Sequence, residues 1–141
     1  MYASPFSKPP AARGHFGAMY HQVSIETGVA EASPHRLVSM LFDGFMQAVA
    51  QARGAMREGQ FESKGRCIGR AVAIIEEGLR AGLDLQAGGG LARDLNDLYG
   101  YLVVRLTQAN VRNDEAALDE CQRLVLQLQE AWTSIAPQFK A

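Results

Sequence analysis

The chain has 141 residues, 48% of them hydrophobic, and 14 basic against 15 acidic side chains leave a formal charge of −1. That is enough for one domain with a real core and too little for two of ordinary size. No block of like charge exists, so the electrostatic footprint of a nucleic-acid or anionic-membrane binder is missing and the expected partners are proteins. Cys67 and Cys121 lie far apart, each on an apolar helical stripe, where free cysteine behaves as a small buried apolar group suited to a reducing compartment. The Met1 end lacks an apolar run of signal-peptide length and no later stretch approaches a membrane span, so no membrane insertion is expected and the cytoplasm is the expected location.

Residues 1–18 mix Pro5, Pro9, Pro10, Gly14 and Gly17 with serine and alanine, the composition of a disordered arm. In residues 19–30 the register changes, and Tyr20, Val23 and Thr27, with Ile25 and Val29 nearby, form one short amphipathic piece. Periodicity leaves two readings open, a cap helix packed on the domain or a detachable lid over a partner groove. The domain proper is expected over residues 19–136, with a tail at 137–141.

Ser33-Pro34 is the strongest start signal in the chain, a capping hydroxyl followed by a residue with no N–H to lose and a φ already suited to a helix. A first long helix is expected over 34–58, carrying Leu37, Leu41, Phe45, Ala48, Ala52 and Met56 on one face and closed by Gly59. A second over 61–83 aligns Ile68, Ala71, Val72, Ile75, Leu79 and Gly82, and the short connection makes the pair antiparallel. Its Gly65, Gly69 and Gly78 each cost roughly 1 kcal/mol in a helix interior. Close approach of a neighbouring helix would offset that penalty, and this reading is preferred over a shallow groove for a foreign helix. Gly88-Gly89-Gly90 breaks the chain but lacks the downstream Lys-Ser/Thr of a phosphate loop. A third helix over 91–110 presents Leu91, Leu95, Leu98, Leu102, Leu106 and Ala109, and a fourth over 114–136 presents Leu118, Cys121, Val125, Leu128, Trp132 and Ile135. Four stripes of matching length and no competing strand pattern predict an all-α fold, an antiparallel up-down four-helix bundle with an N-terminal cap segment.

Chemistry is harder to find. His15, His21 and His35 sit before or at the start of the first long helix, without cysteine or carboxylate at metal-ligand spacing, and no nucleophile, acid or base constellation assembles. No enzyme, no metal and no cofactor are expected. Tyr99 and Tyr101 stand two apart on one helix and diverge by about 200 degrees, so one of them must leave the apolar face.

The ordered series Tyr20-x-x-Val23, Ala32-Ser33-Pro34-x-x-Leu37-x-x-Met40-Leu41-Phe42-Asp43-Gly44, Gly78-Leu79-x-x-Gly82-Leu83-Asp84, Gly88-Gly89, Leu95-x-x-Leu98-Tyr99-x-Tyr101, Arg105-Leu106-x-x-Ala109-Asn110, Asn113-Asp114 and Trp132 resembles the FliS family of flagellar secretion chaperones over residues 19–136. The resemblance implies a cytoplasmic bundle that binds the disordered C-terminal segment of flagellin, prevents its premature polymerisation and helps deliver it to the flagellar type III export apparatus. It also implies that Tyr20, Val23 and Ile25 form a lid that flagellin displaces, with Leu41, Tyr99 and Tyr101 as further lid or flagellin contacts. Asp43 and Arg105, both family-typical, are expected to form a polar link between the first and third long helices. The chain departs from the family pattern at Gly90, where a glutamate is common, and at Gly100, where an aspartate is. Two other readings compete: a histidine phosphotransfer bundle, for which His35 sits at the wrong place, and a structural bundle that forms a homodimer through a spare stripe.

Overall fold

A computed structural model describes residues 33–135, which form four helices and, among the described residues, no strand. Helix α1 spans Pro34–Arg57; Ser33 caps it, its hydroxyl accepting from the Arg36 N–H at 3.1 Å. Its buried face takes in Leu41, Phe45, Ala48 and Ala52 as expected, together with Phe42, Val49 and Ala55, while Leu37 and Met56 are only half-buried. The broader face follows from α1 having neighbours on two sides. Its end is a Schellman turn: Gln60 N–H bonds the Ala55 carbonyl at 2.9 Å, Gly59 N–H bonds that of Met56 at 3.2 Å, and Gly59 sits at φ +70°.

Helix α2 begins at once, spans Phe61–Ala73, and continues as a π-helical stretch over Ile74–Arg80. This wider turn closes the helix before residue 83, and it brings Ile74, Ile75, Gly78 and Leu79 all onto the buried side. Gly44 of α1 makes room for it, since a Cβ there would stand 3.3 Å from the Ile74 Cδ1. Gly65 and Gly69 do not serve helix contact in this way. A Cβ at Gly69 would meet nothing within 4 Å and one at Gly65 only the Asn110 side chain at 3.9 Å, which corrects the close-approach reading of those two positions. Gly69→Ala should therefore raise stability by about 1 kcal/mol, read as a higher urea midpoint; a lower midpoint would mean that this exposed face is not free.

In the α2–α3 connection Asp84 accepts from the Gln86 and Ala87 N–H groups at 3.1 and 2.9 Å. Gly88 is required there, because a Cβ would fall 2.5 Å from that of Ala92 and 2.7 Å from the Asp84 carbonyl, and Gly89 takes φ +60°. Helix α3 spans Gly89–Arg112, so the last two glycines of the triplet lie inside the helix and the break lies upstream. Ala92, Tyr99, Leu102, Leu106 and Ala109 form its buried face, whereas Leu91 is 71% exposed, contrary to expectation. Asn113 turns the chain in the left-handed region (φ 52°), and Asp114 caps helix α4, Glu115–Ser134, by accepting from Ala116 and Ala117 N–H.

Each helix packs on its chain neighbours, and α4 closes the ring on α1. The core runs through the middle of this ring, with Phe45, Ile75, Leu102, Leu106 and Leu118 inaccessible. Cys121 is buried with them, which pushes its thiol up to about 12. Cys67, beside Gln51, is only half-buried and packs at the margin of the core. At the end holding the α1–α2 and α3–α4 turns, polar links abound. Arg53 and Arg57 of α1 reach Asp119, Gln122 and Glu115 of α4. Buried Lys64 donates to the Asn110 carbonyl at 2.8 Å and to Asn113 Oδ1 at 2.6 Å, a cation satisfying the C-terminus of α3.

Candidate functional site: an apolar cavity at one end of the bundle

At the opposite end the apolar stripes do not close on one another. The start of α1, the π stretch with the turn after it, the start of α3 and the end of α4 surround a cavity of about 380 Å³. Val38 and Phe42 line it from α1, and Leu79, Gly82 and Leu83 from the π stretch and turn. Leu91, Leu95 and Tyr99 contribute from α3, and Leu128, Ala131, Trp132 and Ile135 from α4. Leu128, Trp132 and Ile135 continue the stripe that is fully buried at Leu118, Cys121 and Val125, but here they are only half-buried. The same ridge that seals the core at one end thus lies partly bare at the other, and apolar surface left in water favours any occupant that covers it.

The wall is held in place by side chains on adjacent helix ends. His35 and Trp132 stack with ring centroids 4.5 Å apart and planes within 5°, the indole N–H donates to the His35 carbonyl at 3.0 Å, and His35 Nε2 lies 2.8 Å from the Trp132 carbonyl. Asp43 accepts from Gln129 Nε2 at 2.6 Å, a second link from α1 to α4. Across the cavity Arg80 donates to Asn96 Oδ1 at 2.8 Å and to Glu76 at 3.1 Å. Gly100 accommodates it, for a Cβ there would meet the Arg80 guanidinium at 3.2 Å.

Of the residues singled out from sequence, Tyr99 lines the cavity and is buried, which alone pushes its hydroxyl up to about 12. Tyr101 faces outward, as the divergence of the two tyrosines requires, and its hydroxyl is held by Glu120, whose acceptor bond raises the Tyr101 pKa. Leu41 belongs to the core and does not line the cavity. Tyr20, Val23 and Ile25 lie outside the described residues. The Asp43–Arg105 link is not formed: Asp43 turns to Gln129, while Arg105 donates to Glu120 at 2.7 Å and Gln108 at 2.8 Å. The reason is the ring order, in which α4 stands between α1 and α3 and offers each of them a nearer polar partner. Sequence patterning does not single out these wall residues: Leu128 continues a stripe that reads simply as core, while Val38 and Leu83 stand outside the stripes of their helices.

Among the described residues no grouping of histidine, cysteine and carboxylates could hold a metal, and no helix is long and apolar enough to cross a membrane. A helical bundle with an apolar cavity between its helix ends presents a surface of the kind used in helix-in-groove recognition. A profile described as "Flagellar protein FliS" matches residues 17–139, and the chain belongs to the FliS family. It is 47% identical over 117 residues to the flagellar secretion chaperone FliSB of Pseudomonas aeruginosa, covering 83% of this chain and 92% of that one. Against the flagellar secretion chaperone FliS of Salmonella typhimurium it is 46% identical over 118 residues, 84% and 87% of the two chains. Against that of Bacillus subtilis it is 30% identical over 113 residues, 80% of each. A member of this chaperone family is not an enzyme.

Proposed function

We propose that this protein is a cytoplasmic export chaperone that holds the disordered C-terminal segment of flagellin, keeps it from polymerising early and brings it to the flagellar export apparatus. The observation that carries the reading is the half-bare ridge of Leu128, Trp132 and Ile135 facing Val38, Leu83 and Leu95 across the cavity. A filament subunit segment with an apolar stripe gains, on lying along such a ridge, the burial it otherwise finds only in the filament. Ordering that segment costs conformational entropy, so affinity comes from extended apolar contact.

Residues 19–30 supply a lid in this reading. The chain joins the bundle at Ser33, at the cavity end, and the eight steps from Ile25 to Ser33 can span up to about 26 Å at ~3.3 Å per residue, enough reach to bring Tyr20, Val23 and Ile25 over the cavity. A lid that occupies the groove lowers the apparent affinity by the fraction of time it is shut. Tyr20→Ala should therefore tighten binding of a flagellin C-terminal peptide by a few-fold; unchanged affinity would remove Tyr20 from the lid.

Calorimetry with a synthetic peptide of the C-terminal segment of flagellin, followed by amide hydrogen exchange, tests the function itself. We expect binding, with protection concentrated at the start of α1 and α3 and the end of α4. Absence of binding, or protection only at the Lys64 end, would overturn it. A second copy of the chain is the competing occupant, and light scattering of the isolated protein with and without peptide separates a dimer that shares the groove from a monomer that offers it.

A further inference from the structure

Tyr99 is 4% exposed as a residue, and no group among the described residues hydrogen-bonds its hydroxyl, whose oxygen keeps access to the cavity; the fully buried side-chain atom without a hydrogen-bond partner is instead Arg53 Nε. A polar group that opens onto an apolar chamber without a protein partner is left to water or to an occupant. Of the side chains lining the cavity only Tyr99 and Trp132 carry a polar atom, and the Trp132 N–H is already given to the His35 carbonyl. The phenol is thus the uncommitted polar group in an otherwise apolar chamber. In the free protein it contributes nothing to cohesion that a phenylalanine ring would not.

We propose that the Tyr99 hydroxyl is the specificity-determining contact of the cavity, donating a hydrogen bond to a neutral acceptor oxygen on the occupant. The proposal rests on the chaperone reading for the identity of that occupant, but not for the chemistry. A helix lowered into the cavity presents acceptors of this kind, the free carbonyls of its last turn or the oxygen of an asparagine, glutamine, serine or threonine side chain. A carboxylate is rejected, because the apolar lining offers no counter-charge. An occupant lacking the oxygen leaves the buried hydroxyl unpaired, which is how one polar group discriminates in an apolar site. The ridge thus supplies affinity for greasy segments in general, and Tyr99 selects among them.

Tyr99→Phe in the full chain separates this role from a structural one. Its thermal midpoint should stay close to or above that of the wild type, since no hydrogen bond within the described bundle is lost, while affinity for the flagellin C-terminal peptide falls about tenfold. A second arm does not depend on flagellin: titration with acetophenone and with α-methylstyrene, near-isosteres that differ in the carbonyl oxygen, followed by the NMR shift of the Trp132 indole N–H. The ratio of ketone to alkene affinity should drop about fivefold to tenfold in Tyr99→Phe. A ratio that stays within twofold overturns the proposal, whatever the peptide does. A peptide that fails to bind the wild type while the ratio shifts overturns the flagellin reading and leaves the role of the hydroxyl standing.

Discussion

Leu128→Asp is expected to leave the bundle folded and to cut affinity for the flagellin C-terminal peptide by at least a hundredfold. Leu128 lines the cavity from α4 and is half-buried, so in the free protein a carboxylate at that position stays hydrated and disturbs little. Seating an apolar segment removes that water, and nothing on the lining can pair with the charge. Burying an unpaired carboxylate costs several kcal/mol, and about 3 kcal/mol already exceeds a hundredfold in dissociation constant. Occupancy raises the pKa of such a group, so the binding defect is largest above its free-protein pKa and eases as pH falls, when the neutral acid is the form buried. Calorimetry near pH 7 and pH 5, beside circular dichroism of the unliganded variant, reads both effects. Affinity within tenfold of wild type near pH 7 would place the client elsewhere.

Phe45→Ala should do the opposite, destabilising the bundle by about 3–5 kcal/mol through lost transfer energy and a residual void. Phe45 is inaccessible at the middle of α1, among the largest fully buried side chains, and does not line the cavity. For a domain of this size that loss lowers the thermal midpoint by on the order of 15 °C. A drop of only a few degrees would mean the core can collapse around the deletion. The two substitutions divide the apolar stripes into a part that holds the bundle together and a part that serves another molecule.

That division is what the sequence could not show. The bundle itself was legible, because Ser33-Pro34 and Asp114 mark helix starts with side-chain caps and the stripes of α1 and α4 keep spacings of three and four to the end. Of the stripe expected on α3, Leu102, Leu106 and Ala109 are buried and Leu95 and Leu98 half-buried, but at its start Leu91 is exposed and Ala92 and Tyr99 are buried instead; an alanine carries too weak a hydropathy signal to set a register. The π stretch was invisible, since nothing in Ile74–Arg80 breaks an α-helical pattern and its wide turn depends on Gly44 and Gly100 in other helices. The cavity is a relation among four helix ends, so no single stripe announces it. Asp43 and Arg105 were matched by charge alone, and pairing followed ring order instead.

The polar links described at the cavity end all run within two pairs of helices: His35 with Trp132 and Asp43 with Gln129 join α1 to α4, and Arg80 with Asn96 joins the π stretch to α3. The two turns that connect one pair to the other, at Gly59 and at Asn113, lie at the far end. Such a molecule is a pair of tongs. Between the jaws, Arg105 and Tyr101 hold Glu120 and Arg70 holds Gln51, all nearer those turns, whereas toward the cavity the contact is apolar, such as Ile74 against Gly44. Any widening at the cavity end would therefore strain apolar contact before it reached a directional bond between the jaws.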